Sequence, residues 1–194
     1  MKKNNFAPLF DVVLSCLAVF VAITALLKYD EKKADSTAPP QNAIFQVLME
    51  WSDESADDID LWGEDPSNNI VGFKRREGGD TCLMSLARDD IGTAGDFLAD
   101  GNNIKKNNEV ISIRGIVPGE YIFNAHYYAR KDKKEAIRVK AKLVRVKPYE
   151  LIVEKELTFF DEGDEQTFFR VSLDKDGKTS GINSLSKIIA KDLK

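Results

Sequence analysis

Two hydrophobic rhythms divide this chain. Residues 6–27, FAPLFDVVLSCLAVFVAITALL, are apolar almost throughout and hold thirteen Leu, Ile, Val or Phe. As a helix they would rise about 33 Å at roughly 1.5 Å per residue, which matches the hydrocarbon core of a bilayer. Those residues favour insertion by about 5 kcal/mol, against about 3 kcal/mol for one central carboxylate. The pattern predicts a single transmembrane helix. At about 100° per residue, Ala7, Asp11, Ser15, Ala18, Ala22 and Ala25 share one face. Phe6, Leu9, Val13, Leu17, Phe20, Thr24 and Leu27 fall on the opposite face. Small residues let another helix approach closely in lipid, and a carboxylate among them marks a functional site. Two plainer readings stand beside this one. In the first, the segment is a signal anchor whose Asp11 reaches an interface. In the second, it is a cleaved signal peptide, with Lys2 and Lys3 ahead of it and Ala25 near the cut.

From Ala43 onward the period becomes two. Residues 43–51 place Phe45, Val47, Met49 and Trp51 on one face. Short strands are predicted over 58–63, 69–75, 81–87 and 109–116. Pro118-Gly119 then signals a turn. Residues 120–129 alternate Tyr121, Phe123, Ala125 and Tyr127, and 136–147 alternate apolar with basic, slipping phase at Leu143-Val144 as at a bulge. Strands over 150–160 and 166–173 complete about nine. Such a series predicts a mainly β fold, an antiparallel β-sandwich of immunoglobulin-like or jelly-roll-like kind. Residues 89–108 form a long Gly/Asn/Asp-rich loop, with a short turn at 94–98. Residues 183–194 carry Leu185, Ile188, Ile189 and Leu193 at helical spacing, which predicts a short C-terminal amphipathic helix.

The expected organisation is a short N-terminus (1–5), the membrane helix (6–27), a charged then Pro-rich tether (28–42), the sandwich (43–182) and the terminal helix (183–194). The 194-residue length leaves room for one such domain. A net charge of −4 gives no reason to expect nucleic acid. Cys16 in the apolar run and Cys82 in the domain predict no internal disulfide, and Cys82 reads as a small core residue.

The run Pro8-Leu9-Phe10-Asp11-Val12-Val13 resembles the start of the single membrane helix in ExbD-, TolR- and MotB-type subunits. These are the B subunits of ion-driven rotary motors with five A and two B subunits. The match covers about the first thirty residues. It implies a B subunit, dimeric within a pentameric ring of polytopic A subunits in the inner membrane. The N-terminus would then lie in the cytoplasm and the domain in the periplasm. The charges flanking the helix are nearly balanced, so this orientation comes from the resemblance. Asp11 would carry H+ or Na+, with the hydroxyls of Ser15 and Thr24 assisting. The domain resembles neither family's soluble part, so the periplasmic or cell-wall target stays open. A second resemblance lies in MEWSDESADDIDLWGEDPSNN and the later VPGEYIFNAHYY. They are similar to small sandwich domains of secreted bacterial proteins, with Gly63 and Glu64 where Val is usual and Asn69 where Gly is usual. That likeness implies a sandwich fold and export.

Within the domain the acidic run Asp53, Glu54, Asp57, Asp58, Asp60, Glu64 and Asp65 stands out. Hard cations need several oxygen ligands in one place. Asp57, Asp58, Asp60 and Asp65 are therefore candidate ligands for Ca2+, although the spacing is not that of an EF-hand loop. The competing reading is turn-making with a solvated rim. His126 is the only histidine and sits in an alternating strand, so a His-based metal site or triad cannot form within one chain. No phosphate loop or nucleophile elbow is present, and nothing points to an enzyme. Arg138, Lys140, Lys142, Arg145 and Lys147 fit either the wet face of a strand or a surface for an anionic polymer. The competing functional reading is a membrane-tethered periplasmic module that grips a glycan or protein and moves no ion.

Overall fold

The structure, a computed structural model, describes residues 14–19, 43–79, 82–95, 106–132 and 136–190. The chain divides into two compact units, Met1–Gln41 and Asn42–Lys194. In the first, residues 14–19 are helical, with Leu14, Leu17 and Val19 exposed. Among the described residues no helix is long and apolar enough to cross a membrane. The rest of the 6–27 span, with Asp11 and Thr24, lies outside the described residues, as does the tether.

The second unit is mainly β, in ten strands: β1 (Phe45–Trp51), β2 (Asp58–Glu64), β3 (Ile70–Val71), β4 (Met84–Arg88), β5 (Asn108–Ile113), β6 (Gly119–Ala129), β7 (Ile137–Arg145), β8 (Glu150–Phe159), β9 (Glu165–Leu173) and β10 (Thr179–Asn183). They build two antiparallel sheets, ordered β4-β5-β1-β7-β8 and β10-β9-β6-β2-β3. Their inward faces share one core. Phe45, Val47, Met49, Ile111, Ile113 and Val139 come from the first sheet, and Ile59, Leu61, Tyr121, Phe123, Ala125, Phe169 and Val171 from the second. The period-two sequence explains this, since alternate residues of a strand point to opposite faces. A register shift between Leu143 and Val144 sits where the apolar phase slips.

Two local features hold the turn into β6. The Tyr121 hydroxyl donates to Val117 O at 2.9 Å and accepts from Val117 N at 3.1 Å, fastening the turn into β6. Gly119 has φ +136° and packs against Pro66, where a Cβ would come within 2.7 Å of the ring. Outside the core, the basic face of β7 meets the acidic β8: Lys140 and Lys142 lie opposite Glu156 and Glu154, and Lys140 Nζ lies 2.9 Å from Glu154 Oε1. That matched charge is what a solvated antiparallel face requires.

Two expectations are corrected. Residues 184–189 are not helical; 191–194 lie outside the described residues. Instead the chain runs as an irregular strap across the outer face of the β9–β6 region. Asn124 Nδ2 donates to Lys187 O at 2.6 Å, Lys187 N donates to Thr167 Oγ1 at 3.1 Å, and Glu165 Oε1 accepts from Ile189 N at 2.7 Å and Ala190 N at 3.0 Å. A helix this short is marginal in water, and side chains that bond its backbone directly outcompete it. Ile189 is buried by the strap, while Leu185 and Ile188 remain exposed. Cys82 is also not a core residue. It is half-buried ahead of β4, at φ +47°, with its thiol 3.5 Å from Glu77 Oε2.

Candidate metal centre

The edge of the second sheet places a cluster of carboxylates. β2 pairs with β6 along its length, but β3 meets it only at Gly63 and Glu64. The N–H of Leu61 therefore lacks a strand partner on that side. Glu109, fully buried at the start of β5, supplies the acceptor: its Oε2 takes Leu61 N–H at 2.7 Å, and its Oε1 takes Asp90 N–H at 3.2 Å. A buried backbone donor left without a partner costs about 1–3 kcal/mol, which is why the edge needs this carboxylate.

Three acids converge here. One carboxylate oxygen each from Asp60, Asp89 and Glu109 lie within 4.8 Å of one another. Asp60, on β2, stands opposite His126 of β6, with Oδ2 3.6 Å from His126 Nδ1. Both atoms are buried, and neither has a hydrogen-bond partner among the described residues. Asp89 follows β4 and pairs through Oδ2 with Arg76 Nη2 at 2.6 Å. Burial pushes the Glu109 carboxyl well above its usual range; the Leu61 N–H pulls it back, and the Asp60 charge adds to the rise. Burial likewise raises Asp60, against the pull of His126. Each shift records a negative charge that the site does not fully compensate.

The neighbouring acids do other things. Asp57 Oδ1 accepts from Lys131 N at 2.7 Å and Asp132 N at 2.8 Å, pinning the β1–β2 connection to the end of β6. Asp58 pairs with Lys131 Nζ at 3.4 Å; burial raises its carboxyl while Lys131 holds it down. Asp65 turns the chain after β2, its Oδ1 accepting from Ser67 N at 2.8 Å and Asn69 N at 2.9 Å. Asp90 accepts from Gly92 N, Asn108 N and Arg88 Nη2. The expected ligand set Asp57, Asp58, Asp60 and Asp65 is thus not brought together. Asp57 and Asp65 are engaged by backbone N–H groups and Asp58 by an ion pair, and only Asp60 joins the cluster. The sequence reading missed Asp89 and Glu109. The available signal was parity, because Glu109 is in phase with the inward Ile111 and Ile113 of a period-two strand.

His126 also borders a cavity of about 310 Å³, walled chiefly by Trp62, Phe73, Tyr128 and Lys74. Trp62 and Phe73 meet edge to face, with ring centroids 5.7 Å apart. His126 lines this cavity and faces Asp60 of the acidic cluster.

The turn Gly92–Gly95 seats Asp90 against the cluster. Gly92 has φ +73°, and a Cβ there would stand 2.7 Å from both Ala56 O and Asp57 O. Gly92→Ala combines left-handed strain with a backbone clash. It is expected to cost about 3 kcal/mol, lowering Tm by about 10 °C in thermal denaturation.

No family model matches the chain, and no curated protein matches it in sequence.

Proposed function

We propose that this protein is the B subunit of a proton- or sodium-driven rotary motor in the inner membrane. The observation that carries the reading is Asp11, one carboxylate on the small-residue face of an otherwise apolar run that begins Pro8-Leu9. The likeness of that start to ExbD-, TolR- and MotB-type subunits supports it. In this reading residues 6–27 span the membrane once, with the N-terminus in the cytoplasm and the β domain in the periplasm. Two copies sit within a pentamer of polytopic A subunits. Binding of H+ or Na+ neutralises Asp11 and lets it pass the apolar wall of the ring. Release restores the charge, which pairs with polar groups, Ser15 and Thr24 among them. Each exchange advances the ring relative to the dimer, and the periplasmic domain passes the resulting work to a target in the cell envelope.

The test is composition. The tagged full chain, extracted from native membranes in mild detergent, is expected to bring down a polytopic partner at five copies to two. Recovery of the chain without any multi-spanning partner would sink the proposal. It would favour the second reading, a membrane-tethered module that binds a glycan or protein and transports nothing. The aromatic cavity beside His126 is the observation on that side, since aromatic walls with a few polar groups suit a small ligand.

A further inference from the structure

The structure assigns a bound divalent cation, calcium, to Asp60, Asp89 and Glu109. The inference is independent of the motor reading. Its first ground is geometry. Calcium takes oxygen ligands at roughly 2.3–2.6 Å, so any two of them lie no more than about 5 Å apart. The three carboxylate oxygens, all within 4.8 Å of one another, meet that limit.

The second ground is an orphaned atom. Asp60 is only 3% exposed, and its Oδ2 is buried with no hydrogen-bond donor among the described residues. The nearest candidate, His126 Nδ1, stands off at 3.6 Å and is itself unsatisfied. Buried carboxylate oxygens are almost always paired, hydrogen-bonded or coordinated, because leaving one bare in a low-dielectric site is costly. A cation on Asp60 removes that cost.

The third ground is charge balance. Three carboxylates meet at this edge, yet among the described residues only Arg76 and His126 come within ion-pair distance of any of them, and neither reaches Glu109. Arg76 is a largely exposed side chain, so solvent screens its contribution. A dication neutralises the remainder. Glu109 is preset for the role, because its two backbone N–H partners fix the carboxylate plane.

The cation would clamp the two sheets together. Asp60 belongs to β2 of one sheet, while Glu109 and Asp89 come from β5 and the end of β4 in the other. The clamp falls where β3 is too short to cover the edge of β2. Three protein carboxylates, with water completing the shell, suit the weaker calcium sites, with Kd about 10⁻⁴–10⁻³ M, found in extracellular modules.

The experiment uses the full chain in detergent, stripped with EDTA and titrated with calcium chloride, followed by the thermal transition of the β domain. Ten millimolar calcium is expected to raise Tm by about 5 °C in a saturable way. Asp60→Asn is expected to abolish the rise. Asp89→Asn, at a position less buried than Asp60 or Glu109, is expected to keep the fold and to weaken the apparent affinity at least tenfold. Magnesium demands a tighter shell near 2.1 Å and is expected to give less than a third of the shift. The assignment is overturned if calcium moves Tm by less than 1 °C, if both variants respond as the parent does, or if magnesium matches calcium.

Discussion

Asp11→Asn is expected to reduce ion flux and any motor-driven activity by about a hundredfold or more, while leaving the chain in the membrane. The physical reason is exchange. Asn occupies nearly the same volume and can accept and donate hydrogen bonds, but it cannot alternate between a charged and a neutral form. Inserting Asn in place of a carboxylate also lowers the cost of burial in lipid, so expression should hold or improve. Asp11→Glu keeps the charge and shifts its position by one methylene, and it should retain a measurable part of the flux. The readout is ion movement in cells or proteoliposomes, normalised to the amount of assembled complex. Unaltered flux through Asp11→Asn would remove the motor reading, because Asp11 is the one carboxylate in residues 6–27, and Ser15 and Thr24 offer hydroxyls that do not titrate. Loss of flux with loss of assembly would instead report a packing role for the small-residue face.

The sequence foretells the domain and its site unequally. β1 and β6 are legible because Phe45, Val47 and Met49, and Tyr121, Phe123 and Ala125, each keep one parity and each end up in the core. β10 is not legible: Thr179–Asn183 is exposed at every position, so it has no apolar phase, and it exists because β9 offers it an open edge. The terminal strap fails for the opposite reason. Its spacing is helical, but Glu165, Thr167 and Asn124 hold its backbone from a sheet face that no local pattern reveals. At the cluster, the acidic run is visible from the sequence, and yet the partition within it is not. Whether an aspartate makes a turn, as Asp65 does, or faces other acids, as Asp60 does, depends on which strand edge lies beside it. Asp89 and Glu109 reach Asp60 only through the pairing of β4 with β5 and the shortness of β3.

Phe123→Ala is expected to destabilise the domain by about 4 kcal/mol and to lower Tm by about 12 °C. Phe123 is fully buried at the middle of β6, opposite Gly63 of β2 on one side and Phe169 of β9 on the other. Its ring fills the space that Gly63 leaves open, since a Cβ on Gly63 would lie 3.1 Å from Ile111 Cδ1 and 3.2 Å from Phe123 Cε1. Gly63 is therefore glycine for packing. The two positions should couple. Gly63→Ala alone overpacks the inter-sheet gap and destabilises, whereas in the Phe123→Ala background the added methyl enters a vacated space and recovers part of the loss. A double-mutant cycle by thermal or urea denaturation measures that coupling, and strictly additive losses would show that the ring and the missing Cβ do not share one space. The same cycle bears on the edge of the sheet, because Gly63 and Glu64 are where β2 meets β3, and Leu61 and Asp60 lie two and three residues before Gly63 on the same strand. Loosening the pairing of β2 with β6 at Phe123 should lower the Tm gain from calcium, since a clamp stabilises only as much as the strand it holds is in place.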